Sequence, residues 1–114
     1  MNQKDRITEI LATYQKHGWR LRRILLSPET RSQAVGQEEG TFEGAPVESA
    51  GMDAMWFSRI SDAKREAWEL RLIAETQYAL FETFEADESE EAREDVRREM
   101  EARLRDYVAG SSEN

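Results

Sequence analysis

Apolar residues recur along this chain with two different periods, and the changes of period mark its elements. Ile7, Ile10, Leu11 and Tyr14 fall at i, i+3, i+4 and i+7, which is one face of a helix. Asn2 or Asp5 can cap its start by accepting a bond from an orphan backbone N–H. Gly18 suits the left-handed position beyond its end, and Lys16 and His17 complement the negative end of the helix dipole. Trp19 to Ser27 then reads as a strand. Trp19, Leu21 and Leu25 alternate, Arg23 interrupts them, and Ile24 and Leu26 take the other face. The second half of this strand is apolar on both faces, which suggests cover on two sides. A continued helix is the alternative; Gly18 and Pro28 as bookends favour the strand.

Residues 28 to 53 break the pattern. Both prolines and four of the six glycines lie here, which predicts a long, irregular, partly mobile loop, with mobility expected at 30 to 40. Thr41 to Val47 is a candidate short edge strand, because Pro46 is tolerated at an edge. Alternation then returns. Strands are expected at Ala54 to Ser61, Ala67 to Ile73 and Tyr78 to Glu85, with turns at 62–65 and 74–77. If residue 72 sits opposite 78, then Trp68, Leu70, Leu72, Tyr78, Leu80 and Phe84 share one face with Trp56. Phe57 and Phe81 lie opposite that face. A helical stripe through Ala63, Ala67, Leu70, Ala74, Phe81 and Phe84 is the rival reading, and short apolar runs leave it open. Aromatic richness favours strands.

The last element is a helix from Ser89 to Ala109, with Ala92, Val96, Met100, Leu104, Tyr107 and Val108 as its stripe. Asp87 with Glu90 resembles a capping box. Glu94–Arg98, Glu99–Arg103 and Glu101–Arg105 are spaced as i, i+4 ion pairs. Gly110 reads as the stop, and 110–114 as a frayed tail. The order predicts a single α+β domain over 1–114. Its sheet is antiparallel, with about four strands, one after the first helix and then a three-stranded meander; the N- and C-terminal helices pack on one face.

Charge changes the picture more than composition does. The net charge is −8, unevenly spread: residues 1–31 carry +4, residues 32–63 carry −5 and residues 64–114 carry −7. Such asymmetry can orient a charged partner, or it can be neutralised inside the fold. Free nucleic acid is not expected as a partner of so acidic a chain. No cysteine is present, which excludes disulfides, thiolate nucleophiles and Cys-ligated metals. No apolar run reaches the roughly 18 residues of a membrane span. The N-terminus has no apolar signal core. A cytoplasmic location is expected.

No catalytic, cofactor or metal motif emerges. His17 is the only histidine, and a helix C-terminus accounts for it. Gly36 to Gly40 has the wrong spacing for a phosphate cradle and carries two anions. Glu82 is the leading candidate for a buried acid, because the register points it at the apolar face; Glu69 and Glu75 follow. The concentrated positive feature is Arg20, Arg22 and Arg23 with Arg31, where Arg20 and Arg22 share one strand face and Arg23 takes the other. Guanidinium groups of this kind suit acidic or phosphorylated ligands. With Phe57 and Phe81, which make an apolar patch if no second layer covers that face, these arginines form the candidate interaction surface. The expected function is a non-enzymatic protein-interaction module of the adaptor, inhibitor or immunity type, acting on another protein or on itself as a homodimer. The alternative is a small-molecule-binding or catalytic domain with a pocket between sheet and helices.

Overall fold

The computed structural model describes residues 2–34 and 41–112. Helix α1 spans Gln3–Lys16. Asn2 caps it, its side-chain oxygen accepting from the Asp5 N–H at 2.8 Å. Gly18 closes it at a φ of +85°, while the Gly18 N–H donates to Gln15 O and the Trp19 N–H to Tyr14 O. That pair of bonds is the Schellman stop a left-handed glycine permits. The chain then enters β1, Arg20–Leu26.

The described residues of 28–53 are more regular than their composition suggests. Pro28–Ala34 forms a short helix, α2. Ser27 caps it, its hydroxyl accepting from the Thr30 N–H at 3.4 Å, and Pro28 takes the first helical position, where no N–H is needed. Residues 30–34 are therefore helical; the remainder of the segment expected to be mobile, 35–40, lies outside the described residues. The candidate edge strand is a hairpin of β2, Thr41–Phe42, and β3, Ala45–Ser49. Its two-residue turn has φ of 51° at Glu43 and 84° at Gly44, the positive pair that a tight hairpin requires.

The meander follows as β4, Ala54–Ile60, β5, Glu66–Leu72, and β6, Ala79–Phe84. A single 3₁₀ turn at Asp62–Lys64 joins the first two. Leu72 stands opposite Tyr78, its N–H donating to Tyr78 O at 2.9 Å. Residues 63–86 are thus extended and turn structure, not helix. Helix α3 runs Glu90–Ser112. Ser89 caps it through a 3.1 Å bond from the Ala92 N–H, in place of the Asp87–Glu90 box. Gly110 lies within the helix and does not end it. The expected frayed tail is helical through Ser112, and 113–114 lie outside the described residues.

The α+β class with a helix at each end is as the sequence predicts; the sheet is larger and mixed. Its order is β2-β3-β1-β4-β5-β6, six strands, with β1 and β3 parallel and every other pair antiparallel. A parallel pair needs a crossover, and α2 with the β2–β3 hairpin lies within that crossover. The terminal helices cover opposite faces instead of one. α1 buries Ile7, Ile10 and Leu11 against Ile24, Leu26, Met55 and Phe57. α3 buries Met100 and Leu104 against Leu25, Trp56, Leu70 and Phe84. The reason lies in β1 and β4, which are apolar on both sides; each side demands its own cover. Each fully buried large side chain contributes about 1.5–3 kcal/mol.

Candidate functional site

The four arginines expected to form a patch do not form one. β1 carries an irregularity between Leu21 and Arg23, where the pairing with β4 slips by one residue. Leu21 packs on the α1 side. The bulge then brings Arg22 and Arg23 together on the α3 side, whereas simple alternation would separate them. Arg22 lies over the Trp68 ring at 5.2 Å. Arg23 bridges Glu48 and Glu101, each at 3.6 Å. Arg31 is apart, on α2, donating to Ser49 Oγ at 3.0 Å. Arg20 is exposed on β1, opposite Ser58.

Opposite Arg22 and Arg23, α3 presents Arg93 and Arg97. Together they line a cleft of about 250 Å³ that also holds Glu48, Glu66, Glu90 and Glu94. Four arginines face four glutamates, so the cleft is electrically balanced. Arg97 is only 4% exposed; its guanidinium packs over Trp68 at 4.5 Å and Phe84 at 5.9 Å, and it is paired with Glu90 and Glu94. Arg93 donates to Glu66 at 2.9 Å and to the Glu85 carbonyl at 2.8 Å. Glu101 accepts from Trp56 Nε1 at 2.8 Å. Burying a guanidinium is costly unless it is paired, and here both pairing and ring faces offset the cost. In α3 the i, i+3 pairs Glu94–Arg97 and Asp95–Arg98 form, where i, i+4 pairs were expected. The basic end of the chain meets the acidic last helix through Arg23 and Glu101, while the glutamates that α3 lends to the cleft pair with its own Arg97.

What the cleft leaves outside is acidic. Residues 82–95 contain eight carboxylates and one arginine; Glu90, Arg93 and Glu94 line the cleft, which leaves six carboxylates outside it. The single base, Arg93, is turned inward to Glu66. Glu82, Glu85, Asp87, Glu91 and Asp95 are exposed around the corner where β6 leads into α3. Arg65 partly offsets Glu85 at 3.2 Å, and Arg98 offsets Asp95 at 3.2 Å.

On the α1 face the two phenylalanines part company. Phe57 is fully buried, stacked under Tyr14 at 4.1 Å, and so forms no surface. Phe81 is 58% exposed and stands edge-on to Trp19 at 6.4 Å. Arg59 covers the Trp19 ring at 4.6 Å and donates to His17 O. His17 Nδ1 lies 2.9 Å from Thr13 O; a carbonyl can only accept, so this nitrogen carries the proton. The Tyr14 hydroxyl donates to Glu69. Burial first, then the Glu69 bond and charge, raise its pKa well above the usual tyrosine value.

The candidate acids are placed as follows. Glu82 is exposed at the sheet edge, not buried, because α3 covers Leu80 and Phe84 but leaves the strand beside them open. Glu75 is exposed and pairs with Arg6 at 3.7 Å. Glu69 serves Tyr14. Among the described residues, no group of three or more His, Asp or Glu is arranged to hold a metal ion. No helix among them is long and apolar enough to cross a membrane.

Two features escaped the sequence reading. Asp53 joins three segments: its carboxylate accepts from the Ser27 N–H at 2.7 Å, Thr30 Oγ1 at 2.6 Å and Gln3 Nε2 at 2.9 Å. Beside it opens a cavity of about 430 Å³ between the sheet end and the last turns of α3, lined by Met52, Leu72, Ile73, Tyr107 and Val108 among others. The only sequence signal for the ionic cleft was Arg23, whose break in the alternation marks the bulge. No family model, no curated protein and no solved structure matches this chain.

Proposed function

We propose that this chain is a non-enzymatic protein-interaction module of the cytoplasm whose acidic β6–α3 corner docks a basic surface on another protein. The observation that carries the reading is the placement of charge. Arg22, Arg23, Arg93 and Arg97 face glutamates in the cleft, while Glu82, Glu85, Asp87, Glu91 and Asp95 are exposed together at the β6–α3 corner. A concentrated field of one sign steers an oppositely charged partner and sets its orientation. The same field repels nucleic acid.

Affinity capture from a native extract tests this, comparing the wild-type chain with the triple variant E85K/D87K/E91K. A basic partner should be retained at low salt and released at high salt, and the variant should fail to retain it. Capture that is indifferent to salt and to the triple substitution, or no partner at all, rejects the proposal.

A second reading rests on the cavity beside Asp53. Its volume falls within the range of small-molecule sites, and its lining is largely apolar. A ligand there should shift the amide signals of Met52 and Tyr107 and leave those of the acidic corner unmoved.

A further inference from the structure

The two edges of the sheet are built differently. At one edge β2 has two residues, and its neighbour β3 carries Pro46. Short strands and proline are the usual means of discouraging a further strand. At the other edge β6 is six residues long, pairs with β5 without a register slip, and contains no proline or lysine. No described strand lies beyond it.

The register fixes which backbone groups of β6 face outward. Leu72 N–H donates to Tyr78 O, so residues 78, 80, 82 and 84 turn their N–H and C=O groups toward β5. Those of Ala79, Phe81 and Thr83 point away from the sheet. Consistent with this, the Thr83 N–H is accepted by the carboxylate of Glu82 at 3.2 Å, and the Glu85 N–H by that of Glu88 at 2.9 Å. Two outward donors are thus held by acidic side chains, while those of Ala79 and Phe81 face solvent. Beside them Phe81 stands exposed against Trp19.

We infer that β6 accepts an extended basic segment of the partner protein as a seventh strand. This rests on the interaction reading above and names how the partner binds. Main-chain bonds to Ala79 and Phe81 supply the pairing, and alternate side chains supply the choice. On the α1 side the incoming strand meets Phe81 and Trp19 and takes an apolar residue. On the opposite side it meets Glu82 and takes Lys or Arg, which draws the Glu82 carboxylate away and frees the Thr83 N–H for pairing. Charge decides the occupant. A second copy would bring two acidic corners together along β6, whereas a basic segment neutralises one.

The test uses three short synthetic peptides: one alternating Lys with Val and Thr, one of the same composition scrambled, and one alternating but N-methylated on its pairing edge. Titration into the whole chain is followed by amide NMR and hydrogen exchange. The alternating peptide should bind, protect the Ala79 and Phe81 amides, and bind about tenfold more tightly than the N-methylated form, as loss of one or two main-chain bonds implies. Ala79→Pro should weaken binding by a similar factor. It removes an outward N–H and no bond to β5, so circular dichroism should show an intact fold. Glu82→Lys should reverse the charge preference, favouring an alternating Glu peptide. If the basic peptides bind equally and shift only α3 amides, with Ala79→Pro without effect, the strand addition is overturned and the acidic-corner reading stands. If none binds at low salt, strand addition is overturned, and the capture experiment alone decides the broader reading. Dimers in light scattering that Ala79→Pro dissolves would overturn the choice of occupant.

Discussion

The two terminal helices perform the same task, covering one face of the sheet, with different chemistry. Beneath α1 the seam is aliphatic and aromatic: Ile7, Ile10 and Leu11 lie against Ile24, Leu26, Met55 and Phe57. Beneath α3 only part of the seam is of that kind. Met100 and Leu104 reach Trp56 and Leu70, but toward Trp68 and Phe84 the helix lowers Arg97 onto the rings and holds it with Glu90 and Glu94. The comparison teaches where stability and where specificity reside. Apolar burial scales with area and, unlike ion pairing, is not weakened by ionic screening. A buried ion network returns little net energy over an apolar substitute, but it is intolerant of losing one member. The largest effect should therefore come from the α1 side. Phe57→Ala opens a cavity under Tyr14 and should cost about 3–5 kcal/mol in urea unfolding, independent of salt. A cost below about 1 kcal/mol would mean that the seam collapses freely, and the contrast would be lost.

On the α3 side one residue should give two answers. Arg97→Ala removes packing on two rings and leaves Glu90 and Glu94 without their partner. The glutamates are partly exposed and can turn to water, so the expected cost is about 2–3 kcal/mol, at or below the low end for a broken buried pair. Arg97→Met keeps the stem and gives up the charge. The Nε of Arg97 is already buried without an acceptor among the described residues, so the methionine variant should lie within about 1 kcal/mol of wild type. If Met costs as much as Ala, the charge itself holds the helix, and the ionic half is not merely a device of specificity.

How much of this was legible follows the same divide. The aromatic face of Trp56, Trp68, Leu70, Leu72 and Phe84 was readable because strict alternation fixes a strand face, and the register supposed for it, 72 opposite 78, is the one observed. The first helix was readable from its stripe and from Asn2 and Gly18. The second cover was not drawn from the same pattern, although Ile24, Leu26, Met55 and Phe57 supply an apolar row behind the first. The crossover was hidden by composition. Ser27-Pro28-Glu29 is a helix start, with cap, first-turn proline and acid in order, yet it opens a stretch rich in glycine. Glu43-Gly44 is a weak hairpin signal, since Asn or Asp usually precedes the glycine. The ionic cleft depends on a bulge, and a slip of one residue is nearly silent in a pattern of period two. The open edge was hidden for another reason: exposure of β6 depends on how far each helix reaches across the sheet.

The hydroxyl of Tyr14 links α1 to β5 from within its apolar seam, and it should show itself in pH. Its pKa is raised in the folded chain, so the native state keeps a proton that the unfolded chain gives up near pH 10. Stability from this source is complete below about pH 10 and is lost as pH climbs toward the folded value. Tyr14→Phe should cost about 1 kcal/mol at neutral pH, the net worth of one hydrogen bond, and should flatten the alkaline decline. Parallel alkaline limbs for the two proteins would show that burial of Tyr14 does not oppose its ionisation.

The smallest effect separates the helices by their glycines. Gly18 ends α1 with a φ of +85°, where any Cβ is strained, although nothing stands within 4 Å of the space a Cβ would take. Gly110 has the same open surroundings but lies inside α3, and its φ is not positive. A helical glycine loses more backbone freedom on folding than alanine does, at about 0.5–1 kcal/mol. Gly110→Ala should therefore stabilise the chain by up to that amount, lessened by fraying so near the helix end, while Gly18→Ala should destabilise it by about 1 kcal/mol. Equal signs for the two would restore Gly110 as a stop and shorten α3 by a turn. Opposite signs would show that one residue type, in equally open space, ends the helix on one face of the sheet and is carried through by the helix on the other.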